Sequence, residues 1–134
     1  MAKSKTTPEG KVKEKIDALL TQHHAEWLNP ATWGMGESGK SDKVVCAYGH
    51  YIAIEAKAGK NQPTELQRAA LRATLDAGGS ACVINEETLP HLAVMLDRLK
   101  DDERHGIRSM KTVIQPDHVN IFQETVSLNP EDFE

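Results

Sequence analysis

Apolar and polar residues alternate along two short runs, 43–48 and 51–57, with Gly49-His50 between them. Such a pattern reads as a β-hairpin, and Gly at the first of two turn positions suits a II′ turn. With Gly49 and His50 as the loop, Tyr48 faces Tyr51, Val44 faces Glu55 and Asp42 faces Lys57. Side chains repeat every second residue, so Asp42, Glu55 and Lys57 project from one face of the hairpin. Val45, Ile52, Ile54 and Ala56 take the other. Glu55 and Lys57 then stand roughly 7 Å apart along their strand.

Helical spacing precedes the hairpin and follows it. Thr7-Pro8-Glu9 reads as a helix start, with Thr as cap, Pro in the first turn and an acid near the positive end of the helix dipole. The apolar stripe Val12, Ile16, Leu19, Leu20, His23 and Trp27 predicts that this helix runs until Asn29-Pro30 closes it. Glu9 falls on the stripe, and a capping role explains it locally. Ala31-Thr32-Trp33 reads as a short strand. The glycine-rich stretch 34–39 lacks the Gly-Lys-Ser/Thr ending and strand-to-helix setting of a phosphate loop, so no nucleotide cofactor is expected.

After the hairpin, Thr64 caps a second helix reaching Ala77. Leu66, Ala70, Ala73 and Ala77, flanked by Ala69, are its expected buried stripe. Thr64 and Gln67 match a capping box, and Gln67 lies on the shoulder of the stripe. Gly78-Gly79 ends the helix. The near-continuous apolar run 80–84 predicts a buried strand parallel to 51–57, a βαβ unit. Thr88 caps a third helix with Leu89, Leu92, Ala93, Leu96 and Leu99 inward, ending near Lys100. Residues 101–109 read as a charged loop. The runs 112–114 and 119–122 are strand-like and predict an extra hairpin or a dimer arm.

Length and composition bound the functions open to this pattern. The 134 residues suit a single domain over 1–134, with a core at about 6–100 and a C-terminal extension at 106–134. Residues 1–15 carry five lysines against two glutamates, whereas 111–134 carry one lysine against five acids. The net charge of −4 disfavours a plain basic nucleic-acid binder but leaves room for a local DNA-facing surface. Cys46 and Cys82 show neither metal-ligand nor disulfide spacing and read as small core residues. No apolar run has the length of a membrane span, and the N-terminus lacks a signal-peptide core. A cytoplasmic protein without membrane partners is the expectation.

The polar face of the hairpin is where chemistry would sit. Two adjacent carboxylates repel and raise each other's pKa, and a divalent cation between them removes the conflict. Hard oxygen donors suit Mg²⁺ or Mn²⁺ with positions left for water and phosphate. Lys57 beside them would position a water or stabilise charge on phosphorus. On the hairpin alone, a solvated Asp42–Lys57 ion pair explains the same residues.

The order of elements resembles the PD-(D/E)XK nuclease core, an α/β fold with a central mixed sheet flanked by helices. The residues Thr7-Pro8-Glu9-Gly10-Lys11-Val12-Lys13, the glycine-rich loop leading to Asp42, Ile54-Glu55-Ala56-Lys57-Ala58-Gly59, Thr64-x-x-Gln67 and Gly78-Gly79 are similar to the VRR-NUC branch, especially its small stand-alone phage enzymes. The resemblance covers about residues 6–86. It implies that Asp42 and Glu55 bind Mg²⁺ or Mn²⁺ with the Ala56 backbone carbonyl. Glu9 would approach the metal directly or through water, Lys57 would orient the attacking water, and Gln67 would hydrogen-bond within the site. The family usually has Pro before the metal-binding Asp, and here that position is Ser41. The resemblance further implies a DNA endonuclease leaving 5′-phosphate and 3′-hydroxyl ends, selective for branched DNA such as Holliday junctions. It would be homodimeric and, if phage-encoded, would work in the bacterial cytoplasm. Lys40, Lys43 and Lys60 are candidate phosphate contacts. The alternatives are a non-catalytic DNA-binding or assembly module, and a nuclease subunit that requires a partner.

Overall fold

The computed structural model describes residues 7–30 and 42–123. The expected strand at 31–33, the glycine-rich loop, Lys40 and Ser41 lie outside them. In chain order the elements are α1 (Pro8–Gln22), β1 (Glu26–Leu28), β2 (Lys43–Ala47), β3 (His50–Ala56), α2 (Glu65–Asp76), β4 (Ser80–Ile84), α3 (Leu89–Arg104) and β5 (Val113–Ile114). The strands form one mixed sheet in the order β1-β2-β3-β4-β5. β1–β2 and β2–β3 are antiparallel, and β3–β4 and β4–β5 are parallel. The described residues thus form an α/β protein with a five-stranded mixed sheet and three helices. Among the described residues no helix is long and apolar enough to cross a membrane.

The two sheet faces carry separate cores. Val12, Ile16 and Leu20 of α1 and Leu92, Leu96 and Leu99 of α3 pack on Val45, Ile52, Ile54 and Ala56. On the opposite face, Leu71 and Leu75 of α2 join Ala53, Ala81, Val83, Val119 and Ile121. Val45, Ile52, Ile54 and Ala56 therefore share one face of the hairpin as expected, but its other face is not simply polar, because Ala53 is buried there against α2.

Its register is not the expected one. The turn residues are Tyr48 and Gly49, with φ of 53° and 76°, the two positive values of a I′ turn. His50 becomes the first residue of β3, opposite Ala47. Pairing shifts by two residues, so the faces survive but the neighbours change: Val44 lies opposite Ala53, not Glu55. The cause is tertiary. His50 is buried with Nε2 2.7 Å from Ser80 Oγ. The Tyr48 hydroxyl lies 2.8 Å from His23 Nδ1, which holds Tyr48 in a conformation a non-glycine residue rarely adopts.

Other boundaries move for similar reasons. α1 stops at Gln22, His24 turns the chain at φ 56°, and Trp27 belongs to edge strand β1. α2 buries Leu71 and Leu75 rather than the Leu66–alanine stripe, because two leucines one turn apart remove more apolar surface than alanines do. Leu66 is 55% exposed. Ala70, Ala73 and Ala77 instead line an open groove of about 470 Å³ with Val44, Tyr51 and Ala53. Thr88 makes no side-chain cap. Asn85 Oδ1 takes the Glu87 and Thr88 N–H groups, while Thr88 Oγ1 donates to the Val83 carbonyl. α3 runs to Arg104, so 101–104 is helix. The 112–114 run joins β4 as β5 of the same sheet, and 119–122 forms no strand; Val119 and Ile121 are buried beside α2. Cys82 is buried, but Cys46 is exposed on the face that α2 leaves partly open.

Candidate active site

Continuing the β2–β3 register by one residue places Asp42 opposite Glu55. Side chains and backbone then interlock across the hairpin. The Asp42 N–H donates to Glu55 Oε2 at 3.2 Å, and the Ala56 N–H donates to Asp42 Oδ2 at 2.9 Å. Each carboxylate has one oxygen held by a backbone donor and the other turned towards a lysine. Lys57 Nζ is 3.8 Å from Glu55 Oε1, and Lys13 Nζ is 3.6 Å from Asp42 Oδ1. The structure thus brings Asp42, Glu55, Ala56 and Lys57 together, with Glu55 rather than Lys57 as the cross-strand neighbour of Asp42.

Glu55 is 1% exposed. Burial, reinforced by the Asp42 carboxylate and opposed by Lys57, pushes its carboxyl up to about 8. The ionised form is therefore disfavoured at this position, and the carboxyl keeps its proton until the pH approaches that value. Lys57 is fixed by its place at the end of β3, where its N–H donates to the Ile84 carbonyl at 2.9 Å. The loop that follows is tied down as well. Gly59 N–H donates to Glu86 Oε1 at 2.9 Å, and Asn85 Nδ2 donates to the Gly59 carbonyl at 3.1 Å.

Glu9 and Gln67 are engaged by residues of their own helix starts. Glu9 lies in the first turn of α1, and its Oε2 is 3.3 Å from Lys13 Nζ, so its link to Asp42 runs through an ammonium. Gln67 completes the capping box: its Oε1 accepts from Thr64 N–H at 2.8 Å, and Thr64 Oγ1 accepts from Gln67 N–H at 3.1 Å. Its amide oxygen is committed to the helix start. Among the phosphate-contact candidates, Lys60 is exposed. Lys43 is buried on the opposite face, 2.6 Å from Asp17 Oδ1 and donating to Asn29 Oδ1 at 2.9 Å, which removes it from that role.

Sequence reasoning passed over Lys13. Burial lowers its pKa, but the Asp42 and Glu9 carboxylates together outweigh that and leave it raised. The available signal was its position four residues after Glu9, the spacing of side chains on one helix face.

The described residues contain no cluster of three or more His, Cys, Asp and Glu side chains gathered around a metal position. Asp42 and Glu55 supply two hard carboxylate donors, and a divalent cation would favour the ionised form of Glu55 that burial disfavours. Two carboxylates of this kind are oxygen donors of the hardness that suits Mg²⁺ or Mn²⁺.

The fold and this cluster define an α/β protein with two apposed carboxylates and a lysine on one sheet face. Beyond that class, no protein-family model matches the chain, and no curated protein matches it.

Proposed function

We propose that this protein is a Mg²⁺- or Mn²⁺-dependent DNA endonuclease of the PD-(D/E)XK type, akin to the VRR-NUC branch, acting on branched DNA as a homodimer. The observation that carries the reading is the interlocked pair Asp42–Glu55 with Lys57 beside it. Two acids are held together at a cost in charge repulsion, one of them buried, and a purely structural ion pair would need no such arrangement.

Asp42, Glu55 and the Ala56 carbonyl would hold the cation. When bound, it would acidify a water and neutralise phosphate charge. The backbone donors from Asp42 and Ala56 orient the carboxylates before substrate arrives, which limits reorganisation during reaction. Lys57, fixed against Glu55, positions the attacking water and offsets charge developing on the phosphate oxygens. The water oxygen joins phosphorus, the bond to the 3′ oxygen breaks, the water releases one proton and the departing oxygen takes one up.

The test uses a labelled four-way junction and a matched linear duplex with Mg²⁺, Mn²⁺ or EDTA, comparing wild type with Lys57→Ala. Metal-dependent junction cutting lost in the variant is the expected result, with a fall of at least about 10²-fold. Equal cutting of both DNAs would retain the nuclease and discard branch selectivity. Intact DNA under every condition, from protein shown to be folded, would overturn the proposal in favour of a binding module or a partner-dependent subunit.

A further inference from the structure

We infer that Lys13 is a displaceable counter-ion built into the carboxylate site, holding Asp42 while no cation is bound and shifting to Glu9 when one enters. The inference rests on the metal-site reading above and assigns a role to a residue which that reading leaves unused.

The two lysines at the site differ in the way this role requires. Lys57 extends from a strand, its side chain is 14% exposed, and it faces the fixed carboxylate of Glu55. Lys13 extends from α1, its side chain is 38% exposed, and it is shared between two acceptors, Glu9 Oε2 at 3.3 Å and Asp42 Oδ1 at 3.6 Å. Glu55 lies inside the sheet, so a cation from solvent meets the pair on the side of Asp42, whose carboxylate is 24% exposed. There it meets the Lys13 ammonium. Two cations competing for one carboxylate oxygen cannot both keep it, since the like charges repel at contact distance.

Glu9 makes the exchange reversible. It sits one helical turn before Lys13, in the favoured i, i+4 arrangement with the acid on the N-terminal side. An ammonium that leaves Asp42 keeps a carboxylate partner and is not stranded. Glu9 thereby acts on the metal site through Lys13, as a positioning residue. Lys13 also remains beside the site as a spare positive charge facing the solvent from which a phosphodiester would come.

The experiment measures Mn²⁺ binding to the metal-free full chain by calorimetry, alongside melting in EDTA. Lys13→Met should bind Mn²⁺ about two- to fivefold more tightly than wild type, the equivalent of one partly exposed ion pair. It should also melt at a lower temperature in EDTA. Lys13→Arg keeps the charge and should match wild-type affinity. Lys11→Met removes the same charge from an exposed position nearby and should leave affinity unchanged. Equal or weaker Mn²⁺ binding by Lys13→Met, with wild type binding normally, overturns the counter-ion role and leaves the metal site standing. Tightening by Lys11→Met as large as that by Lys13→Met attributes the effect to net charge and overturns it too. Failure of wild type to take up Mn²⁺ removes the metal-site reading and this inference with it.

Discussion

Replacing Glu55 with Gln should make the metal-free protein more stable at pH 8 and no more stable at pH 5. Glu55 has an ordinary carboxyl pKa of 4.5 when unfolded and one of about 8 when folded. A raised folded pKa means that the native state binds more protons than the unfolded chain between those values. Its stabilising share is therefore complete below 4.5 and is lost as pH rises towards 8. At about 1.4 kcal/mol per pH unit, the loss by pH 8 is about 4 to 5 kcal/mol. Gln has the same shape, stays neutral, and can still accept the Asp42 N–H through its amide oxygen. Its NH₂ then faces Lys57, which offsets part of the gain, so a net stabilisation of about 2 to 3 kcal/mol at pH 8 is expected. Urea unfolding in EDTA at pH 5 and pH 8 reads both quantities. Wild-type stability should fall steeply across the interval, and the variant's should stay nearly level, so that the curves cross. Saturating Mn²⁺ should restore wild type at pH 8, by about 2.7 kcal/mol at a hundredfold excess over Kd, and leave Glu55→Gln almost unchanged. Parallel stability profiles for the two proteins would refute the claim that the folded protein disfavours ionisation of Glu55.

Two further outcomes follow from the packing. In Gly79→Ala the new Cβ would lie 2.8 Å from the Tyr51 carbonyl oxygen and 3.0 Å from Thr74 Cγ2, so strand β3 or α2 must shift. A loss of about 1 to 3 kcal/mol is expected in chemical denaturation, and a melting temperature equal to wild type would show that the approach is not tight. Lys43→Met removes the clamp joining the first residue of β2 to Asp17 of α1 and to Asn29, and should cost about 1 to 3 kcal/mol because Asp17 is partly solvated and recovers some hydration. Increased stability in urea would mean that desolvation of the Lys43 ammonium outweighs its two contacts.

How much of the site was legible depends on which interactions set each part. Asp42, Glu55 and Lys57 were readable as one polar face because strand parity survives any even shift of register. That Asp42 stands opposite Glu55, and that each backbone serves the other's carboxylate, depended on the turn. A Tyr at positive φ is unfavourable locally, and it is stabilised by His23, 25 positions away in the chain. Gln67 matched both a cap and a site residue, and its geometry gives the amide oxygen to the cap. Strand parity already separates Lys43 from Lys57, but the partners that bury Lys43, Asp17 and Asn29, come from distant parts of the chain.

The sequence by itself determined the helix starts at Thr7-Pro8 and Thr64–Gln67, the βαβ unit, and which hairpin residues share a face. Capping bonds and side-chain periodicity are local, so the residues concerned carry the whole of their cause. Tertiary structure alone decided the hairpin register, the end of α1, the buried side of α2, the joining of β5 to the sheet, and the approach of Lys13 to Asp42. Each of these is a competition between locally acceptable alternatives. Contacts between residues far apart in the chain settle it, because burying one more leucine or satisfying one more buried polar group outweighs the small local preferences that the sequence displays.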